Sequence, residues 1–510
     1  MKVAIFAFEG VGHLNPQLAL ATKFLEKGHD VRFYLLSEKM EADIKKLPFD
    51  ALDVHVTPEC MKNASPVEYE DQDESDRKVN DLIICMLGAA WYSLPGELKD
   101  LKKFGADLIL YDPFVVSAPI AAYVLNIPCV STVTVPSVNH YTALAGRNGE
   151  EEYRLALEEI QESSTMQRFA SLLKEKYNFD VLDKFIMLNN YLKTGLNICT
   201  GIKDFEPAMP EAVKEKYGDI DEKSVYVGPM LLTKEQGRVS SNPQANPEAN
   251  RQSIDAPFPS EDLQKYKEQG KTIVYVSFGT VATNPHFWNY NPSPTKMFGA
   301  KSSGKVFCQA MWQRIFEAFG KNDKYVVVMA TVAEDPDALK GFEIPANFIV
   351  RRRCPQLDVL KVADVFITHG GANSMMESIS AHVPMLVLPW FSDQPDNART
   401  VSKEKVGLHY LDPVADCSAQ FLARDVERLL ADRDTFVSNC KRLQKSLKEA
   451  GGAEKASKCI EDYVASFKGH QPELSKKRSL SELNSDVLQK CRTSSFKEVD
   501  LSERSMDNAV

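Results

Sequence analysis

The chain has 510 residues, 44% of them hydrophobic and 26% charged, with a formal net charge of -10. At about 150 residues per domain this length predicts more than one domain, and the apolar content is that of a globular protein. The acidic balance argues against a nucleic-acid partner, which needs a basic stripe to displace counterions from phosphates, and leaves a small molecule as the expected substrate.

Ten cysteines are scattered from Cys60 to Cys491 without a C-x-x-C pair, so neither a zinc ligand set nor a disulfide framework is indicated. The opening MKVAIFAFEGVGH carries one lysine and a short apolar run without a small-residue cleavage site, and it reads as a buried first strand rather than a signal peptide. No stretch reaches the roughly 18 apolar residues that span a bilayer. The expectation is a cytoplasmic protein without stable membrane insertion. The triplet Asn63-Ala64-Ser65 matches a glycosylation acceptor but means little in a chain that is not secreted.

Short apolar runs then alternate with amphipathic stretches: VAIFAF from Val3, a helical pattern from Leu14 to Glu26, VRFYLL from Val31, DLILY from Asp107, a helix over Ser117 to Leu125, and PCVSTV from Pro128. This rhythm predicts a parallel sheet covered on both faces. Tyr141 to Leu192 reads as an inserted helical region, and LNICT at Leu196 and VYVGP at Val225 as the last strands of the half. A segment rich in Ser, Asn, Pro and Gln follows and reads as a linker. The rhythm restarts at TIVYVSFGT from Thr272 and continues through KYVVVMA, NFIV, DVFITH and MLVLPW to helices ending near Phe467. The expected organisation is therefore two similar α/β domains, 1–231 and 261–468, joined by a linker at 232–260. A tail at 469–510, poor in aromatic and β-branched residues, is expected to be disordered. Residues 284–305 form a long turn-rich loop inside the second domain, placed where it would cover a bound ligand.

The most informative stretch is VFITHGGANSMMESISAHVPMLVLPWFSDQPDN, from Val365 to Asn397. Ligands of an open parallel sheet lie beyond the carboxyl ends of its strands, which is where His369 to Ser374 fall. Gly370 and Gly371 let the backbone approach a bulky group, and the following helix offers unpaired N–H groups and a positive dipole end to an anion such as phosphate. Glu377, one helical turn beyond Asn373, can accept two hydrogen bonds from a diol, while Asp393 and Gln394 follow the next strand and reach the same edge. Taken singly, each feature is equally a tight turn or a solvated side chain.

Taken together, RRRCPQLDVL, HGGANSMMES and HVPMLVLPWFSDQPDNA, from Arg351 to Ala398, resemble the donor-binding signature of family 1 glycosyltransferases, UDP-dependent enzymes of the GT-B fold with two facing Rossmann-like domains. The resemblance implies that Gln356, with backbone around Cys354 and Pro355, reads uracil and that Glu377 holds the ribose. His369, Gly371, Asn373 and Ser374 would hold the diphosphate, with Ser277 and Thr280 of the SFGT turn adding contacts. Asp393 and Gln394 would read the sugar hydroxyls. Cys354 departs from the tryptophan common in relatives, and a thiol has no aromatic face to stack on uracil.

The first turn, FEGVGHLNP, carries Gly10 and Gly12, yet the third glycine of a dinucleotide fingerprint would fall at Asn15. The G-H-x-x-P of Gly12, His13 and Pro16 instead resembles the place where these transferases carry a catalytic histidine, and VGHLNP is most similar to the macrolide-type branch. A neutral imidazole suits removal of a hydroxyl proton, and a helix N-terminus is expected to help keep His13 neutral. Asp112, ending LILYD, is the carboxylate expected to orient it, since strand ends of one sheet converge on one edge. His29 and His382 sit in turns and are expected to be solvated.

The Asp71-Gln72-Asp73 triplet lies in an acidic loop with no strand before it, so no metal is expected, and no cofactor beyond the UDP-sugar co-substrate. The implied reaction is inverting transfer of a hexose to a hydroxyl of a small apolar acceptor. The Asp393-Gln394 pair suggests glucose, and the region after Thr134 and Trp91 would line the acceptor. An NAD(P)-dependent oxidoreductase built on the Gly10 turn, and a non-catalytic sugar-nucleotide or lipid binder on the same fold, remain as alternatives. The tail basic cluster Lys476-Lys477-Arg478-Ser479 reads as solvated or as a phosphorylation or partner site.

Overall fold

The computed structural model describes residues 1–35, 38–45, 47, 52–56, 79–134, 164–181, 194–206, 219–232, 253–289, 300–333 and 335–467. The Asn63 and Asp71 triplets, much of the inserted region, the middle of the linker, the loop centre at 290–299 and the tail basic cluster lie outside them. The first sheet holds β1 (Lys2–Phe6), β2 (Asp30–Leu35), β3 (Asp53–Val56), β4 (Leu108–Tyr111), β5 (Cys129–Val133), β6 (Leu196–Cys199) and β7 (Ser224–Tyr226), in the order β3-β2-β1-β4-β5-β6-β7. The second holds β8 (Thr272–Ser277), β9 (Tyr325–Ala330), β10 (Phe348–Arg351), β11 (Val365–Thr368), β12 (Met385–Val387) and β13 (Gly407–His409), in the order β10-β9-β8-β11-β12-β13. Every adjacent pair is parallel.

Sheets buried on both faces need near-continuous apolar strands, and YVVVMA of β9 is buried throughout. β3 and β13, which the apolar rhythm did not reveal, are edge strands of four and three residues, DVHV and GLH, too short and polar to stand out. Strand order reverses between β1 and β4 in one sheet and between β8 and β11 in the other. A crevice opens at each reversal. Register pairs Phe6 with Tyr111 and Ser277 with Thr368, so the segments leaving these four strands begin at the same level.

The first helix runs over Val11–Glu26, one turn earlier than the apolar pattern suggested, because Gly10 is extended and its carbonyl accepts from the backbone N–H groups of His13 and Leu14, both at 2.9 Å. Pro16 lies inside the helix. Gln17, fully buried, donates to Thr132 Oγ1 at 2.8 Å, and Thr132 donates to the Tyr111 carbonyl at 3.0 Å. This polar path ties the helix to the ends of β4 and β5.

The last helix, Gly452–Phe467, expected at the end of the second domain, packs against the first. Gly451 and Gly452 adopt positive φ of 94° and 54°, a left-handed pair that turns the chain sharply, and Gly452 N–H donates to the Val227 carbonyl at 2.6 Å. Ala453, Ala456, Ile460 and Val464 are then buried with Leu14, Leu18 and Leu196 of the first domain. His29 is not simply solvated: it bonds the chain's amino terminus at 3.0 Å and Glu461 at 2.8 Å, holding this helix at its polar rim.

Ile460 is fully buried in that contact. Ile460→Ala should cost about 2 to 5 kcal/mol through lost burial and the cavity left behind. Urea denaturation followed by near-UV circular dichroism should show the loss, and an unchanged midpoint would mean the helix does not dock there.

Candidate functional site

Residues leaving β1 and β4 meet at the first crevice. His13 Nδ1 lies 2.7 Å from Asp112 Oδ2 and 2.8 Å from Thr134 Oγ1, the residue just beyond β5. Asp112 is fully buried, and its other oxygen accepts from the Phe114 backbone N–H at 3.0 Å, which fixes the carboxylate plane. Two acceptors around Nδ1 set the proton there and leave Nε2 as the basic nitrogen. Phe8 and Phe114 stand edge-on to the imidazole, with centroids at 5.1 and 5.2 Å.

Burial lowers the imidazole pKa, but attraction to Asp112, the hydrogen bond with it and a smaller pull from Asp393 together raise it above the ordinary 6.5. The expected neutralising effect of the helix N-terminus is therefore outweighed. Asp393 belongs to the second domain, so the imidazole feels a carboxylate across the cleft.

The second crevice holds the glycine turn. Gly370, at a φ of 81°, could not carry a side chain, since a Cβ would sit 2.5 Å from Val387. His369 is buried, and a Cβ on either Gly279 or Gly371 would fall 2.5 Å from its Nε2. Burial lowers its pKa to about 4, with a hydrogen bond to the Ser277 backbone opposing, so it is a neutral imidazole filling the space between two turns. Ser277 is buried at the end of β8, and Thr280 is exposed two residues after Phe278.

Gly371 caps the helix Ala372–Ser380. Gln356 donates to Glu377 Oε2 at 2.6 Å and to Ser374 Oγ at 3.2 Å, and accepts from Tyr275 OH at 3.2 Å. The residues expected to read uracil and ribose thus form one network. Cys354 is half-buried, and burial pushes its thiol pKa far up, so it presents a neutral surface.

Asp393 Oδ2 accepts from Asn397 at 2.8 Å. Gln394 uses its carbonyl to cap the Trp390 and Phe391 N–H groups at 2.8 and 3.1 Å, which leaves its amide nitrogen for any further contact. Asn373 reaches across the cleft and donates to the Gly12 carbonyl at 2.9 Å. Trp91, proposed for the acceptor, is occupied edge-on by Tyr177 at 6.3 Å.

Reasoning from sequence missed Thr134, Tyr275, Phe8 and Phe114. Thr134 and Tyr275 were findable in principle: one ends a strand at the crevice edge, as Asp112 does, and the other lies on β8 below the signature. The described parts of the 284–305 loop are anchored beside Trp390, whose Nε1 donates to the Ser302 carbonyl at 2.9 Å. Among the described residues no cluster of His, Cys, Asp and Glu is arranged to hold a metal ion, and no helix is long and apolar enough to cross a membrane.

Residues 253–448 match the family model described as UDP-glucoronosyl and UDP-glucosyl transferase. The chain is 26% identical over 464 residues to the NDP-glycosyltransferase YjiC of Bacillus subtilis (strain 168), covering 91% of this chain and 97% of that protein. It is 28% identical over 162 residues to the oleandomycin glycosyltransferase of Streptomyces antibioticus, 31% of this chain and 37% of that one. The crystal structure of the glycotransferase of kitacinnamycin shares the fold, with a TM-score of 0.63 at 20% identity over 90% of this chain and 98% of the other.

A histidine whose pKa falls on folding must be kept unprotonated for the fold to persist. The unfolded chain binds more protons than the folded one between about 4 and 6.5, so stability falls as pH drops through that window. His369→Gln should flatten this acid loss, by up to ~3 kcal/mol at the acid end. Thermal unfolding midpoints of both proteins between pH 7 and pH 4 check it.

Proposed function

We propose that this family 1 UDP-dependent glycosyltransferase of GT-B fold moves a hexose, glucose in the favoured reading, from a UDP-sugar to a hydroxyl of a small apolar acceptor, with inversion at the anomeric carbon. The observation that carries the reading is the pairing of crevices. The His13–Asp112 dyad occupies one switch point and the glycine turn the other, and the Asn373–Gly12 hydrogen bond spans them.

The acceptor oxygen attacks the anomeric carbon while its proton passes to His13 Nε2, and the bond from that carbon to the diphosphate oxygen breaks with its electron pair leaving on UDP. Asp112 stabilises the imidazolium, with Thr134 holding the pair in register. The proton is then released to water, restoring the base. The N-terminus of the helix Ala372–Ser380, with Ser374 and the SFGT turn, supports the charge arriving on the diphosphate. Glu377 takes the ribose, Gln356 turns toward uracil, and Asp393 with the Gln394 amide meets the sugar hydroxyls. The phenyl rings of Phe8 and Phe114 suit an apolar acceptor at the base. This scheme uses no metal and no cofactor, and the described cysteines, all free thiols, fit a reducing cytoplasm.

His13→Ala should reduce turnover by about 10² to 10⁴-fold with UDP affinity retained, whereas Glu377→Ala should chiefly weaken UDP. UDP release with UDP-glucose and a panel of phenolic, steroid and macrolide acceptors, beside calorimetric titration with UDP, separates the two. Failure of His13→Ala to slow release sinks the assignment of the base.

Only the neutral imidazole accepts a proton, so a raised pKa places the acid limb of kcat/KM above 6.5. Asp112→Asn removes the main raising influence and should move that limb to lower pH while lowering the plateau. An acid limb that stays in place in the variant contradicts the pairing.

A further inference from the structure

The hydrogen bond between Asn373 Nδ2 and the Gly12 carbonyl raises a question of supply. A carbonyl inside an α-helix normally accepts from the N–H four residues on. For Gly12 that residue is Pro16, which has no N–H, and a proline ring also crowds the carbonyl four residues back and pushes it outward. The Gly12 carbonyl is therefore released from the helix ladder by the sequence itself. Its replacement donor comes from the other domain, at 2.9 Å. Gly12 also lacks the Cβ that would stand 3.3 Å from the asparagine nitrogen, closer than side chains ordinarily approach.

We propose that Pro16, Gly12 and Asn373 form an interdomain latch that positions His13 against the donor site, Pro16 acting as a positioning residue through the carbonyl it frees. Gly12 immediately precedes the base, and Asn373 is the second residue of the helix whose N-terminus faces the diphosphate. The latch therefore joins the two segments whose separation sets the distance from the base to the anomeric carbon. A backbone carbonyl is a steady partner because it neither titrates nor changes rotamer. The latch rests on the transferase reading above for its functional consequence, although the contact itself does not.

The test is a double-mutant cycle of Pro16→Ala and Asn373→Ala in the full-length protein. Alanine at 16 restores the helical N–H, so the helix should be more stable, and a merely structural role for Pro16 predicts unchanged or faster turnover. The latch predicts instead an unchanged or higher thermal midpoint with kcat lowered about tenfold, UDP affinity within about twofold, and a larger radius of gyration of the free enzyme in X-ray scattering.

Asn373→Ala should show the same expansion and loss of kcat, together with weaker UDP binding, and the double variant should lose no more kcat than Asn373→Ala alone. Wild-type kcat and wild-type dimensions for Pro16→Ala, or losses that multiply in the double variant, overturn the latch. If the wild-type protein binds UDP but never releases it from UDP-glucose, the transferase reading fails, and scattering of the variants still decides whether the latch exists.

Discussion

A parallel sheet has one edge at which all its strands deliver their following segments, and a reversal of strand order opens that edge. Two such reversals oppose each other in this chain, between β1 and β4 and between β8 and β11. Most of the site follows from this constraint. Asp112 and Thr134 lie 99 and 121 residues beyond His13, on two other connections, and both reach within 2.8 Å of its Nδ1 because β1, β4 and β5 are adjacent. No local sequence feature brings them together. The sheet does.

The two histidines of the site show how the same side chain is tuned in opposite directions. Both are desolvated, which disfavours the cation. His13 has a buried carboxylate against Nδ1 and a second one across the cleft, and these outweigh desolvation. His369 lies against the Ser277 backbone, the Thr368 hydroxyl and two glycines, so burial prevails and it stays neutral to about pH 4. One histidine is therefore suited to receive a proton and the other to fill space without exchanging protons. Its close contacts with Gly279 and Gly371 explain both glycines by shape, in addition to any approach of phosphate.

Much of this was legible in the order of residues. Apolar runs separated by amphipathic stretches gave the two sheets, because strands buried on both faces need them, and the Arg351 to Ala398 signature pointed to the family whose model matches residues 253–448. The edge strands β3 and β13 escaped because half-exposed strands of a few residues carry no such run. Thr134 was legible only as a strand-end residue like Asp112; its 2.8 Å approach to His13 comes from the order of the strands. Gln394 was expected to meet the sugar from its place after a strand and from the family resemblance; in the fold, half of its hydrogen-bonding capacity closes its own turn. The final helix was expected at the end of the second domain; its apolar face suits either sheet, and the left-handed turn at Gly451 and Gly452 directs it back onto the first.

That return constrains how the lobes can move. The chain crosses from first lobe to second through the linker and back again at Gly452, and the returning helix is held by buried Ile460 and Val464 and by Glu461 on Lys27 and His29. Apolar burial of this kind makes the returning helix part of the first lobe. Lys27 and His29 follow directly from the far end of the helix that begins at Val11 and carries His13, so one helix has its base-bearing end at the cleft and its other end beside the returning segment. At the turn itself a Cβ on Gly228 would fall 2.8 Å from the Leu447 carbonyl, so the end of the preceding helix is also packed against the first lobe. The single hydrogen bond at Gly12, worth about 1 kcal/mol net, is a much lighter tie than this buried contact. The lobes are thus joined firmly at the rear and lightly at the front, beside His13.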